Sequence, residues 1–324
     1  HQETLSRTAI AHDGSVVNGV FFQCEFRQVT VRRSMGTIAY YLVLPVFYVV
    51  SWLPFRLLYL LSDVMFLLVY RIFGYRKSVV TANLERSFPE KSSDEIAAIR
   101  HGYYRYFCDL VLETIKTLSI SPAAVNERFS CGDMSSFEHC FKKKQSVIIV
   151  MGHLGNWELC GAYFSQLPLH QLYVLYHPLA NKHFDGLVYR MRTRLGTRLY
   201  PMKSAFRGMV KNSKELTATA FIADQTPSPA NAYWMTFLNQ DTAVFKGTET
   251  IARKLDYPVI YLSVIRERRG HYRIHGELLA EHPRDLPENA LTELHTKLLE
   301  QDIIDHPETW LWSHRRWKHK RPEQ

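Results

Sequence analysis

The sequence predicts an α/β fold, a mixed and mostly parallel sheet flanked by helices, preceded by an N-terminal hydrophobic membrane anchor. Three observations carry that expectation. Short apolar runs alternate with amphipathic ones over the second half of the chain, the pattern of strands covered on both faces. The run SVIIVM passes through GHLGN directly into WELCGAYF, a strand, a tight turn and a helix. Finally, the twenty residues from Gly36 to Phe55 carry no charge. Composition agrees: 324 residues, 46% hydrophobic and 22% charged, exclude wholesale disorder, and 15 Gly with 14 Pro exclude a fibrous repeat. Five cysteines without a C-x-x-C pair argue against a zinc knuckle or a disulfide framework and read as reduced thiols. The net charge of +9 points to an anionic partner.

Taken in order, residues 1–34 are polar and without helical period, and are read as an extension preceding a natural start at Met35. Residues 35–75 form the anchor. About 20 apolar residues suffice to cross a bilayer. Pro45 and Pro54 interrupt the run, however, and Asp63 lies within the second apolar stretch, so a spanning and an in-plane anchor both stand. Tyr40, Tyr41, Tyr48, Trp52 and Tyr59 suit an interfacial belt, and Arg71, Arg76 and Lys77 place the remainder of the chain on the cytoplasmic side. Residues 76–324 form the α/β domain. Ser92 and Glu95 make a capping box for a long amphipathic helix. Strands are expected at Ser146–Met151, Leu172–Tyr176, Thr217–Ala223 and Pro258–Ile265, with helices near Trp157–Leu167, His183–Leu195, Ala205–Ser213, Thr248–Asp256 and Glu288–Ile304. A turn at Arg268–Gly270 leads into the alternating strand HYRIHGELL, predicting an antiparallel pair.

The strand-to-helix turn holds the chemistry. Gly152 and Gly155 permit the turn and Asn156 caps the helix, which sets His153 at a strand end and Glu158 in the first helical turn. A carboxylate there can hold a neutral imidazole in one tautomer, leaving the other nitrogen to take a proton from a hydroxyl that the substrate supplies. Context separates this pair from His295 and Glu300, the other H-x4-acidic pair, which lies on an amphipathic helix and reads as a solvated face.

GHLGNWE, the hydrophobic N-terminus and the closing PETWLWSHRRWK together resemble the bacterial lipid A late acyltransferases of the lysophospholipid acyltransferase superfamily. YRMRTRLG, the DQ after FIA and VFKGTETIARKLDYPVI extend the resemblance, in the family's order, over nearly everything from Met35 onward. It implies transfer of a fatty acyl group from acyl carrier protein or coenzyme A to a hydroxyl of a lipid A precursor at the inner membrane, with no cofactor beyond the acyl donor. His153 would then be the general base and Glu158 its partner. Arg190 would be the functional arginine, and Asp224 would position the arginine or the loop. Asn156, Gly155 and Arg194 are expected to complete the substrate site. An aminoacyl lipid or another lysolipid is an alternative acceptor, and a non-catalytic lipid-binding scaffold is the alternative of another class.

Remaining features have readier explanations. Cys160, within WELCGAYF, reads as a packed cysteine rather than a nucleophile. Arg190 and Arg194 share a helical face that either meets phosphates or is solvated. The terminal HRRWKHKR, with Trp310, Trp312 and Trp317, reads as a membrane-facing tail, with docking of an acyl carrier protein as the rival. Nucleic acid is not expected, since no binding signature accompanies the charge. His271, His275, His282 and Asp285 read as an exposed strand and turn rather than a metal site.

Overall fold

The computed structural model describes residues 33–322, so the expected extension lies almost wholly outside the described residues, as does Cys24. Helices α1 (Arg33–Trp52), α2 (Phe55–Phe66), α3 (Lys77–Ser87), α4 (Ser93–Lys116) and α5 (Pro122–Asn126) come first. Next are β1 (Phe129–Cys131), α6 (Ser135–Lys142), β2 (Val147–Met151), α7 (Trp157–Phe164), β3 (Gln171–Tyr176), α8 (Lys182–Thr193), β4 (Arg198–Pro201), α9 (Ala205–Lys211) and β5 (Thr217–Ile222). The hairpin β6 (Ala232–Phe237) and β7 (Gln240–Phe245), α10 (Gly247–Leu255), β8 (Val259–Arg268), β9 (His271–Ala280) and α11 (Ala290–Asp305) complete the chain.

The main sheet has the order β1-β9-β8-β2-β5-β3-β4, and β8 with β9 is its antiparallel pair. β2 lies at its centre between β8 and β5, and all five of its residues are buried, as a continuous Val/Ile run demands of a strand covered on both faces. Along it the side chains alternate: Val150 faces α11, while Ile149 and Met151 face α7. The capping box forms as expected, with the Glu95 N–H on Ser92 Oγ at 3.3 Å and the Ser92 N–H on Glu95 Oε2 at 2.8 Å. α4 then buries Ile96, Ile99, Tyr103 and Tyr106 against the rest of the molecule.

The N-terminal region is a series of helices separated by breaks. Pro54 ends α1, the chain turns into α2, and a π-helical turn at Leu67–Ile72 comes after it. No single described helix is long and apolar enough to cross a membrane, although Phe55–Ile72 with Lys77–Ser87, bent by 86°, passes that test as a pair. α1 and α2 rest on α4, and each keeps an apolar face outward: Leu42, Val46 and Trp52 on the first, Leu57, Leu60 and Val64 on the second.

Candidate active site

His153 is positioned by strand ends. Met151 of β2 pairs with Ile222 of β5 in parallel register, so two residues further on His153 comes level with Asp224. Their contact is double. His153 Nδ1 lies 2.5 Å from Asp224 Oδ1, and the His153 backbone N–H donates to Oδ2 at 2.7 Å. Trp310 Nε1 donates to that same oxygen at 2.8 Å. Gly152 makes the approach possible, since a Cβ there would meet Asp224 Oδ2 at 3.1 Å and a Leu299 methyl at 2.5 Å. Gly155 turns the chain at φ +58°, its Cα facing the Val264 carbonyl too closely for any side chain. A carboxylate accepts only, so Nδ1 carries the proton and the Nε2 lone pair is left for substrate. Burial by itself would raise the Asp224 carboxyl, but the His153 charge and the three hydrogen bonds outweigh it and hold that carboxyl well below the usual carboxylate range. The imidazole is not sealed off: 9% of its side chain remains exposed.

Glu158 does not reach His153. The first turn of α7 carries its carboxylate toward α8, where Arg192 grips it through Nε at 3.0 Å and Nη2 at 2.5 Å. The Trp157 ring stands edge-on to the imidazole, their centroids 4.9 Å apart. The expected His153–Glu158 hydrogen bond is therefore replaced by His153–Asp224 and Glu158–Arg192. Of the two roles expected for Asp224, on the arginine or on the loop, the first is not seen: among the described residues its hydrogen bonds are to His153 and Trp310. Arg190 donates to Tyr40 Oη of α1 at 3.2 Å. Arg194 covers the carbonyls of Thr117 and Ile120 just beyond α4, which is a structural use of its donors. Asn156 is fully buried and caps α7 by accepting from Leu159 N–H at 2.9 Å.

Two further expectations are corrected. The tryptophans of the terminus form a buried strap and not an interfacial belt: Trp310, Trp312 and Arg316 are all at most 2% exposed, while Arg315, Lys318, Lys320 and Arg321 stay exposed. The strap runs beside the turn that carries His153, with Leu154 bridged to Trp310 and the Leu311 N–H on the His153 carbonyl at 3.2 Å. Its indoles need partners for their N–H groups and find them inside, Trp312 on the Pro307 carbonyl and Trp317 on Thr242. His295, expected on a solvated face, is instead buried against the sheet behind Asp224, and burial pushes its pKa down to about 4. Cys160 is packed as expected, its thiol pushed up to about 12 by burial.

On the α7 side of the sheet lies a narrow apolar crevice lined by Ile149, Met151, Trp157, Cys160, Leu172 and Leu262. It shares Trp157 with the imidazole. The sequence model of bacterial lipid A biosynthesis acyltransferases matches residues 27–319. The chain belongs to this family. Among its relatives, the lipid A biosynthesis palmitoleoyltransferase of Escherichia coli is 23% identical over 246 residues, 75% of this chain and 79% of that protein. A lipid A biosynthesis acyltransferase of Shigella flexneri matches to the same extent. As a member of the lipid A acyltransferase family the protein is an acyltransferase, and the carboxylate on its histidine is one that H-x4-E spacing does not name.

Proposed function

We propose that this acyltransferase moves a fatty acyl group from an acyl carrier protein or coenzyme A thioester to a hydroxyl of a lipid A precursor, at the cytoplasmic face of the inner membrane. The observation that carries the mechanism is the Asp224 carboxylate on His153 Nδ1. Nε2 takes the proton of the acceptor hydroxyl as its oxygen attacks the thioester carbonyl. The tetrahedral intermediate then collapses, the ester forms, and the departing thiolate takes the proton from the imidazolium. Asp224 stabilises that imidazolium and fixes the ring. The crevice beside Trp157 has the lining that an acyl chain needs, and Arg190, exposed beside α1, is suited to a headgroup phosphate. The outward apolar faces of α1 and α2 lie flat on the membrane as an in-plane anchor, a reading supported by the breaks at Pro54 and the π turn.

The experiment is lipid mass spectrometry of a deletion strain complemented with the wild type or with His153→Ala. Loss of the general base should lower acylation by about 10²–10⁴-fold. Full complementation by the alanine variant would remove the proposal, and the mass shift of the product would name acceptor and chain length.

A further inference from the structure

The catalytic turn is gripped from below by one buried carboxylate. We propose that Glu113 of α4 is a positioning residue for acyl transfer, setting the orientation of Asn156 and through it the turn that carries His153; this rests on the His153 reading above. Glu113 has no exposed surface and accepts from three elements at once. Tyr59 of α2 donates to Oε1 at 2.7 Å, while Asn156 Nδ2 at 2.6 Å and Tyr272 of β9 at 2.7 Å share Oε2.

The geometry leaves the Asn156 amide one orientation. With Nδ2 on Glu113, its Oδ1 faces the Leu159 N–H and starts α7. A flipped amide would set oxygen against carboxylate and NH2 against N–H, losing both bonds. Seven residues earlier on the same face of α4, Tyr106 Oη donates to the Gly155 carbonyl at 2.5 Å. α4 thus holds residues 155 and 156 consecutively, and His153 is left with one alignment toward Asp224. A carboxylate suits this site, because three donors converge on its two oxygens. Burial pushes the Glu113 carboxyl up, and the hydrogen bonds from Tyr272 and Tyr59 oppose it.

A swap of the pair tests this in the full chain, reconstituted in phospholipid vesicles and assayed with acyl carrier protein thioester and lipid A precursor. Asn156→Asp sets carboxylate against carboxylate, whereas Glu113→Gln can keep its amide oxygen on Asn156 and turn its NH2 to the Tyr59 hydroxyl, which can accept. In the double variant the glutamine Nε2 donates to an aspartate that still caps Leu159, and its second hydrogen meets the Tyr272 hydroxyl, which can accept. Asn156→Asp should lower kcat at least roughly tenfold with KM nearly unchanged, Glu113→Gln should stay within about threefold, and the double should recover to within about threefold of wild type. Hydrogen exchange over residues 152–159 should speed up and recover in step. A folded double variant no better than Asn156→Asp, or a folded Asn156→Asp with wild-type kcat, overturns the proposal. Should the singles or the double fail to fold, Asn156→Ser decides: serine keeps a capping oxygen but is too short for Glu113, so wild-type kcat in that variant also overturns it. The exchange measurement needs no turnover, so an inactive wild type would sink the acyl-transfer reading while the pairing is still judged by protection of the turn.

Discussion

At His153 the division of labour between two acidic residues can be read from their partners. Asp224 holds Nδ1, whereas Glu158 neutralises Arg192, whose side chain is 22% exposed. Asp224→Asn should therefore lower kcat by about 10²–10⁴-fold, because an amide no longer selects the tautomer or stabilises the imidazolium. Glu158→Gln should lower activity by another route, leaving Arg192 without its charge partner, a loss of up to about 3–5 kcal/mol where such a pair is fully buried. Adding Arg192→Met should restore much of the activity of Glu158→Gln but none of that of Asp224→Asn. Steady-state kinetics of these variants tell the routes apart. The sequence placed His153 correctly, since a histidine after strand and glycine is a local feature. It did not reveal Asp224 as partner, because that contact spans 71 residues.

His295 gives the protein a pH response of its own. Its Nε2 has no hydrogen-bond partner among the described residues, and burial lowers its pKa to about 4. Between about pH 6.5 and about pH 4 the unfolded chain binds a proton that the native protein refuses, so stability falls as pH falls through that window, by on the order of 3 kcal/mol. His295→Leu should flatten this slope, measured as chemical-denaturation midpoints across the window.

At the scale of elements, surroundings decide what pattern leaves open. α1 and α2 read as two apolar stretches broken at Pro54, and they form two helices that pack on α4 on one side and are apolar outside. Fully burying one aliphatic side chain is worth about 1.5–3 kcal/mol. Val46→Asp with Leu60→Glu should thus lower partitioning onto anionic vesicles by well over about tenfold. The melting temperature should hardly change, since both positions already face outward. Vesicle co-sedimentation checks the first expectation and calorimetry the second. Strands β2, β3, β5, β8 and β9, by contrast, were legible to within a few residues, as were α7, α8 and α10, because alternation, capping and glycine turns act over a few residues, whereas the short β1 and β4 were not foreseen. The β6–β7 hairpin went unrecognised: its turn at Leu238 and Asn239, both at positive φ, lacks the glycine that would have announced it.

For the molecule as a whole, the closing strap matters most. Trp310 donates to Asp224 across 86 residues, and Leu311 hydrogen-bonds the carbonyl of His153. Trp310→Phe keeps the packing and removes one donor from the Asp224 carboxylate. It should lower kcat about tenfold while the protein stays folded, whereas truncation after Asp305 should unfold the domain by exposing the surfaces that Trp310, Leu311 and Trp312 now cover. Circular dichroism and turnover measured side by side separate these outcomes. The sequence alone established the α/β class, the strand-to-helix turn and the histidine at its mouth, since periodicity and turn chemistry are short-range. Which carboxylate meets the imidazole, which arginine meets Glu158 and where the tryptophans go depended on strand order and register. Those are decided by burying many side chains together, and no local stretch of the chain contains them.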